Sequence, residues 1–312
     1  MIVSINKVAK RYSGVWVLKE VSGEFSSPNV VAIIGRNGEG KSTLVKIVSG
    51  VVKADGGGVL VDGEQPCDPR AKKRMGVSFQ SPSFFPGLSL KDNLVYHVRF
   101  FGLKPSASEI NEALGDVGLL GFSDKKFESL SEGTKKKAEI AKVLLTKEVC
   151  DLFLLDEPFS GVDPAGRDTI MRSLKAVSKE SGKLIVYVSH TLAEIEELAT
   201  RVCLLADGRF AREWSGQEFS QVLRKTSSGV LIRVPHTYEI DDKRVRALNG
   251  VLGIHTENES TIIRLESQRS LPEVLEALKG SSVDLEAVEI ERAGLEEALV
   301  SIYREAVGNE HT

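Results

Sequence analysis

Cysteine is scarce in this chain. Only Cys67, Cys150 and Cys203 occur among 312 residues, far apart and odd in number. No CxxC pair is present, so neither a disulfide framework nor a zinc site is indicated. Cys150 and Cys203 sit beside apolar runs and read as small core residues. Free or buried thiols suit a reducing compartment. Long apolar runs are missing as well. None approaches the ~18–20 residues needed to span a bilayer. The longest, such as 30–34 and 152–155, are strand-sized. The N-terminal residues lack the charged start, apolar middle and cleavage site of a signal peptide. The chain is expected in the cytosol, with any membrane part supplied by another chain. Charge of one sign is not in excess either. Lys+Arg 41 against Asp+Glu 44 gives a net charge of -3, which disfavours a dedicated duplex-DNA binder.

What is present describes an ordinary globular protein. Hydrophobic residues make up 41% and charged residues 27%, far from disordered or collagen-like compositions. A chain this long buries a core without covalent staples, and its length suggests about two domains. Residues 2–5 and 15–25 alternate apolar and polar side chains, as antiparallel strands do. Residues 30–34 form a continuous apolar run, expected of a strand buried on both faces. A glycine-rich turn and a helical pattern over 42–49 follow. Residues 59–63 read as a strand ending in an Asp-Gly turn. Residues 90–145 are mostly helical in pattern. Three more apolar strands are expected at 151–155, 184–188 and 202–206, separated by helices, with a hairpin turn at Asp207-Gly208. Strand–helix alternation of this kind predicts an α/β fold with a largely parallel sheet covered on both faces.

Residues 35–42 read G-R-N-G-E-G-K-S and fit G-x-x-x-x-G-K-[ST]. The motif lies between a buried strand and a helix, its required context. Gly35, Gly38 and Gly40 let backbone N–H groups of the loop, including those of Arg36, Asn37 and Glu39, converge on an anion. The helix dipole points its positive end at the same place. Lys41 can neutralise the β- and γ-phosphates, and the Ser42 hydroxyl can ligate Mg²⁺. Thr43 can donate near the α-phosphate. A dinucleotide-binding loop is the rival, but no G-x-G-x-x-G occurs at this turn.

The strand at 152–155 ends in Asp156 and Glu157. An aspartate at a strand's carboxyl end can hold the Mg²⁺ hydration shell. The next carboxylate points elsewhere and can polarise an attacking water. Pro158 stops the strand.

With these motifs in place, residues 1–215 resemble the nucleotide-binding subunits of ATP-binding cassette (ABC) transporters. Further motifs follow in the family's order. Gln80 resembles the Q-loop glutamine. Residues 130–134, Leu-Ser-Glu-Gly-Thr, resemble the signature Leu-Ser-Gly-Gly-Gln. Residues 160–163 resemble the D-loop, and 187–190 the switch-histidine motif. Tyr12 stands where the adenine-stacking aromatic is expected. The resemblance implies a P-loop ABC-type domain with a parallel core, an antiparallel β subdomain and a helical subdomain. It implies ATP and Mg²⁺ as cofactors, with Ser42, Gln80 and Asp156 around the metal. Glu157 would be the catalytic base, and His190 would contact the γ-phosphate. Gln80 would report occupancy to the transporter. Ser131 and the Gly133 amide would contact ATP held by another copy, with Asp163 in the D-loop, so a dimer is required. Glu132 and Thr134 depart from the signature. Glu132 is compatible with the site if it points outward or pairs with a partner's lysine. The run Lys135–Lys137 reads as a solvated face that steers phosphate, not a nucleic-acid site.

A composition shift near 215–228 divides the expected cassette, 1–217, from a second domain, 218–312. Its pattern of strands and helices runs βαββαβ, ferredoxin-like, with strands at 230–234, 251–255, 261–265 and 285–290. Helices are expected at 241–248 and 271–278, and a last one at 295–305. This extension resembles that of the multidrug and antibiotic exporters, implying a separate membrane subunit and a location on the inner face of the cell membrane. The alternative is a soluble ABC-type ATPase acting on nucleic acid or ribosome. Only some fifty residues separate Gln80 from Ser131, with no sustained heptads. There is no CxxC and one phosphate loop, all of which count against it. A non-hydrolysing cassette is disfavoured because Lys41, Asp156, Glu157 and His190 are all present. Phe84 and Phe85, adjacent between prolines, are expected either to line the cleft for the membrane subunit or to cap the local core.

Overall fold

A computed structural model describes residues 1–227, 229–257, 260–281, 283–292 and 302–303. The chain divides into two compact units, Met1–Gly216 and Gln217–Thr312, one residue before the expected boundary.

The first unit opens with two long strands, β1 (Ile2–Tyr12) and β2 (Val15–Ser26), paired antiparallel. They bury Val3, Ile5 and Val8 from one strand and Leu18, Val21 and Phe25 from the other, with register shifts between Ile5 and Val8 and between Val8 and Lys10 interrupting the expected alternation. Strand β3 (Val30–Ile34) then enters a different sheet and is buried along its whole length. It delivers the chain to helix α1 (Lys41–Val48). Strand β4 (Gly56–Val61) returns to pair with β1 and closes the three-stranded layer. The Asp62-Gly63 turn after it takes positive φ at both residues.

A short helix α2 (Pro69–Lys72) leads to β5 (Met75–Ser78). Then comes the helical region, α3 (Leu90–Arg99), α4 (Ala107–Gly115) and α5 (Glu132–Leu144). Each starts on a serine that accepts a backbone N–H: Ser89, Ser106 and Ser131. Such caps satisfy donors the helix itself leaves free. Strand β6 (Leu152–Asp156), helix α6 (Pro164–Ser181), strand β7 (Leu184–Val188), helix α7 (Leu192–Leu198) and the hairpin β8 (Arg201–Ala206) and β9 (Arg209–Ser215) complete the unit. The six-stranded sheet runs β5-β6-β7-β3-β8-β9. All pairings are parallel except the β8–β9 edge. Every residue of β3, β6 and β7 is buried, which is why these strands read as unbroken apolar runs. The carboxyl ends of β3, β5, β6 and β7 lead into the phosphate loop, Gln80, Glu157 and His190. A parallel sheet thus gathers distant segments at one edge.

The second unit begins with α8 (Gly216–Ser227) across the boundary, followed by β10 (Val230–Pro235), α9 (Asp242–Arg246), β11 (Val251–Glu257), β12 (Ser260–Leu265), α10 (Leu271–Gly280) and β13 (Glu289–Arg292). Its sheet order is β11-β12-β10-β13, antiparallel throughout. With the βαββαβ order this is ferredoxin-like. The expected strand at 285–290 is corrected. Residues Leu285–Ala287 form a 3₁₀ turn, because Asp284 accepts the Glu286 N–H at 3.0 Å and bends the chain before the strand begins. Of the expected last helix, only Ile302 and Tyr303 lie among the described residues, both buried.

Candidate nucleotide site

The phosphate loop turns on Gly40, whose φ is 95° at the N-cap of α1. That φ strains any residue with a side chain, and a Cβ there would also crowd Leu18 Cδ2 at 2.7 Å and Val17 Cγ1 at 2.9 Å. Lys41 is buried and donates to the carbonyls of Gly35 and Arg36, each at 2.8 Å. Two of its three N–H donors are used, and the third is available to an anion. Burial pushes its pKa down, while Glu157, Glu39 and Asp156 oppose that shift. Ser42 donates to Asp156 Oδ1 at 3.1 Å, joining residues 114 positions apart. Thr43 is half-buried in the first turn of α1. Arg36 and Asn37 form the exposed rim of the loop, and Glu39 is half-buried beside them.

Asp156 is fully buried, and its Oδ2 has no hydrogen-bond partner. Burial raises its pKa, against the lowering effects of Ser42 and the Lys136 charge. A buried, partnerless carboxylate oxygen beside a serine hydroxyl fits a Mg²⁺ ligand set of oxygen donors. Glu157 takes a positive φ of 51°, uncommon for a residue with a side chain. This conformation lifts the chain off β6, and its N–H donates to Val188 O at 3.1 Å. The Glu157 carboxylate meets His190 Nδ1 at 3.1 Å. Behind them, Ser189 donates to Glu194 at 2.7 Å and Arg167 pairs with Glu194 at 3.3 Å. A small cleft of about 130 Å³ lies among Glu157, Ser160, Gly161, His190 and Glu194. The Ser189–Glu194–Arg167 group was missed in the sequence, because nothing local marks these residues as partners.

Gln80 is exposed just beyond β5. Tyr12 is exposed at the end of β1, with Lys10 Nζ 5.5 Å from its ring centre. The phosphate loop, Asp156, Glu157 and His190 come together. Ser131 stands elsewhere, exposed at the N-cap of α5, where it accepts the Thr134 N–H at 3.3 Å. Gly133 explains its own identity. A Cβ there would sit 2.3 Å from Gly161 O, so only glycine lets the signature approach the D-loop. Asp163 caps α6 through the Gly166 N–H at 2.8 Å and pairs with Lys137 at 2.6 Å. The hydrogen bond from Lys137, and after it the one from the Gly166 N–H, hold its carboxyl below the usual range.

The Lys135–Lys137 run is not a solvated face. Lys135 bonds Glu132 at 2.8 Å, so Glu132 points outward and pairs with its own helix. Lys137 holds Asp163, and Lys136 is buried. Farther along the same helix face, the buried Glu139 accepts the Ser83 N–H at 2.8 Å. Lys142, paired with Glu139 at 2.5 Å, donates to Ser83 Oγ at 2.7 Å. The available sequence signal was the three-residue spacing of Lys136, Glu139 and Lys142 among Ala138, Ile140, Ala141 and Val143. Charges at helical spacing within an apolar stretch imply buried partners.

A phosphate loop between a buried parallel strand and a helix, next to an acidic strand end, defines a P-loop nucleotide-binding cassette. Comparison with known proteins gives the same class. A family model described as ABC transporter matches residues 18–160. The uncharacterised ABC transporter ATP-binding protein YcbN of Bacillus subtilis is 28% identical over 306 residues, 96% of each chain. The energy-coupling factor transporter ATP-binding protein EcfA1 of Thermotoga maritima is 34% identical, over 64% of this chain and 76% of its own. Among solved structures, the dimeric post-hydrolysis state of the ATP-binding cassette MJ0796, bound to ADP and Pi, superposes with a TM-score of 0.63 at 26% identity. That match covers 68% of this chain and 98% of MJ0796. The chain belongs to the ATP-binding subunits of ABC transporters. It is an ATPase whose hydrolysis is coupled to transport. Among the described residues, no helix is long and apolar enough to cross a membrane.

Proposed function

We propose that this subunit works as a dimer, on the inner face of the cell membrane, and drives export through a separate integral-membrane chain. The observation that carries the catalytic part is the 3.1 Å bond from Ser42 to Asp156. It sets the phosphate loop against the strand end from which Glu157 projects. Lys41 and the loop amides hold the β- and γ-phosphates, and Tyr12 offers its exposed face to adenine. Ser42 and Asp156, with Gln80, would hold Mg²⁺, which supplies charge neutralisation at the phosphoryl oxygens. Glu157 accepts the proton of the attacking water. His190, whose Nδ1 faces that carboxylate, turns its Nε2 edge to the γ-phosphate. Ser131 and the Gly133 amide meet the γ-phosphate on the other copy, with Asp163 between the two sites. No nucleic acid is involved.

The YcbN match runs through the second unit, while the EcfA1 match spans only 64% of this chain. For the membrane chain, the exposed ladder of Phe85, Tyr96 and Phe100 is the docking surface. Phe85 stacks edge-on with Tyr96 at 4.9 Å, and Tyr96 with Phe100 at 5.4 Å.

Replacing Glu157 with Gln tests the site. ATP binding is expected to persist while turnover falls by about 10²-fold or more, the scale of a lost general base. Near wild-type turnover refutes the assignment. Direction is tested in vesicles carrying the co-purified membrane chain with the ATPase facing the bath. ATP-driven accumulation in the lumen supports export, and ATP-driven emptying of a loaded lumen overturns it.

A further inference from the structure

The lysine run beside the signature contains one residue that does not face solvent or a carboxylate. Lys136 is 6% exposed. Its Nζ donates to Asp156 O at 2.8 Å and to Phe79 O at 3.2 Å. Those are the carbonyls directly before Glu157 and Gln80. One ammonium therefore holds the peptide groups from which both water-facing side chains emerge.

We propose that Lys136 is a positioning residue for ATP hydrolysis, fixing Glu157 and Gln80 relative to each other and to the signature helix. The proposal rests on the reading of Glu157 and Gln80 given above. It does not reduce to holding α5 in place. That helix is already anchored by Ala138, Ile140 and Ala141 in the core and by the Glu139–Lys142 pair on Ser83. Its neighbours in the run do other work, Lys135 on Glu132 and Lys137 on Asp163. The Glu157 backbone is held from the other side by its N–H on Val188 O. A residue in the left-handed region persists only when its surroundings constrain it from several directions. Lys136 supplies the constraint on the Asp156 side.

The arrangement has a consequence for coupling. Ser131 caps the same helix whose next turn carries Lys136. Movement of the N-terminus of α5 when Ser131 engages phosphate is passed to the carbonyls before Gln80 and Glu157. Burial lowers the Lys136 pKa, and the charges of Asp156, Glu139 and Glu157 oppose that shift.

The test uses the purified full chain and steady-state ATP hydrolysis. Lys136→Met keeps the apolar stem and removes the donors. It is expected to lower kcat by about tenfold to a hundredfold, the scale of a displacement of order 1 Å at a reacting centre. KM for ATP should stay within about twofold, because Lys41 and the loop are untouched. Lys136→Arg, which keeps charge and donors, should recover most of the turnover. In a Glu157→Gln background, adding Lys136→Met should cost less than about twofold more, since both act on the same water. A purely structural role predicts instead that the two losses multiply. Should Lys136→Met fail to fold, Lys136→Gln takes its place. Its shorter amide cannot serve both carbonyls, and about threefold lower kcat is expected at unchanged KM. Wild-type kcat in either variant, or fully multiplying losses, overturns the proposal. Wild-type turnover in Glu157→Gln overturns the site reading, whereas an inactive Glu157→Gln beside an active Lys136→Met overturns this proposal alone.

Discussion

Truncating Phe84 and Phe85 one at a time separates two roles that adjacent identical side chains cannot reveal by themselves. Phe84 is 9% exposed, packed edge-on against Phe127 with ring centres 4.8 Å apart, and lies 5.5 Å from Lys142 Nζ. It caps the core. Phe85 is 48% exposed and stacks on Tyr96. Asn93 holds the loop between them and α3, accepting the Phe85 N–H at 2.7 Å and donating to Phe85 O at 3.0 Å. A buried Phe→Ala change costs about 3–5 kcal/mol through lost transfer energy and the cavity left behind. In a domain of 150–250 residues each kcal/mol moves Tm by about 2–4 °C. Phe84→Ala is therefore expected to lower the melting midpoint by about 6–20 °C. Phe85 buries only about half its ring, so its truncation should cost under about 1.5 kcal/mol. It should instead weaken binding of the membrane chain by about 1–3 kcal/mol, the loss of an aromatic anchor. The assay is a thermal melt beside a pull-down affinity for each variant. Phe84→Ala melting within 3 °C of wild type refutes the core assignment, a threshold set at half the smallest expected shift, about 6 °C. A stable Phe85→Ala chain that still binds fully removes the aromatic ladder from the interface.

Two further outcomes follow from buried charge. Glu139→Ala strands the Lys142 ammonium, and breaking a buried pair in this way costs about 3–5 kcal/mol; the double change Glu139→Leu with Lys142→Met should recover at least half of that. Urea unfolding measures both, and a Glu139→Ala loss below about 1 kcal/mol refutes the argument. His97 has its pKa pushed down to about 3, by burial first and by the Lys142 charge second, and its Nε2 is buried without a partner. The folded value lies below the unfolded one, near 6.5. The unfolded chain therefore takes the proton first as pH falls, and stability is lost between about 6.5 and about 3. The slope from this one group is at most about 1.4 kcal/mol per pH unit. His97→Gln should remove that slope, and a stability difference from wild type that is constant from pH 7 to pH 4.5 contradicts the linkage, since about two of those pH units lie below the unfolded pKa.

Local chemistry determined much of this protein. The phosphate loop needed only glycines, a lysine and a serine at fixed spacing after an apolar strand. The buried strands announced themselves because both faces are covered, so β3, β6 and β7 are almost wholly apolar, with a carboxylate only at the end of β6. The Asp156-Glu157 strand end and the βαββαβ order of the second unit were equally legible. Tertiary structure decided which side chains of like kind do different work. Lys135, Lys136 and Lys137 are alike in sequence. On α5 they point in three directions, to Glu132, to the carbonyls of Asp156 and Phe79, and to Asp163. Phe84 and Phe85 diverge because a loop turns successive residues to opposite sides, one into Phe127 and one out to Tyr96. The need for glycine at 133 became visible only with Gly161 O placed against it. Each of these depends on partners remote in sequence, and a partner's position is set by packing, not by the residue's own neighbours.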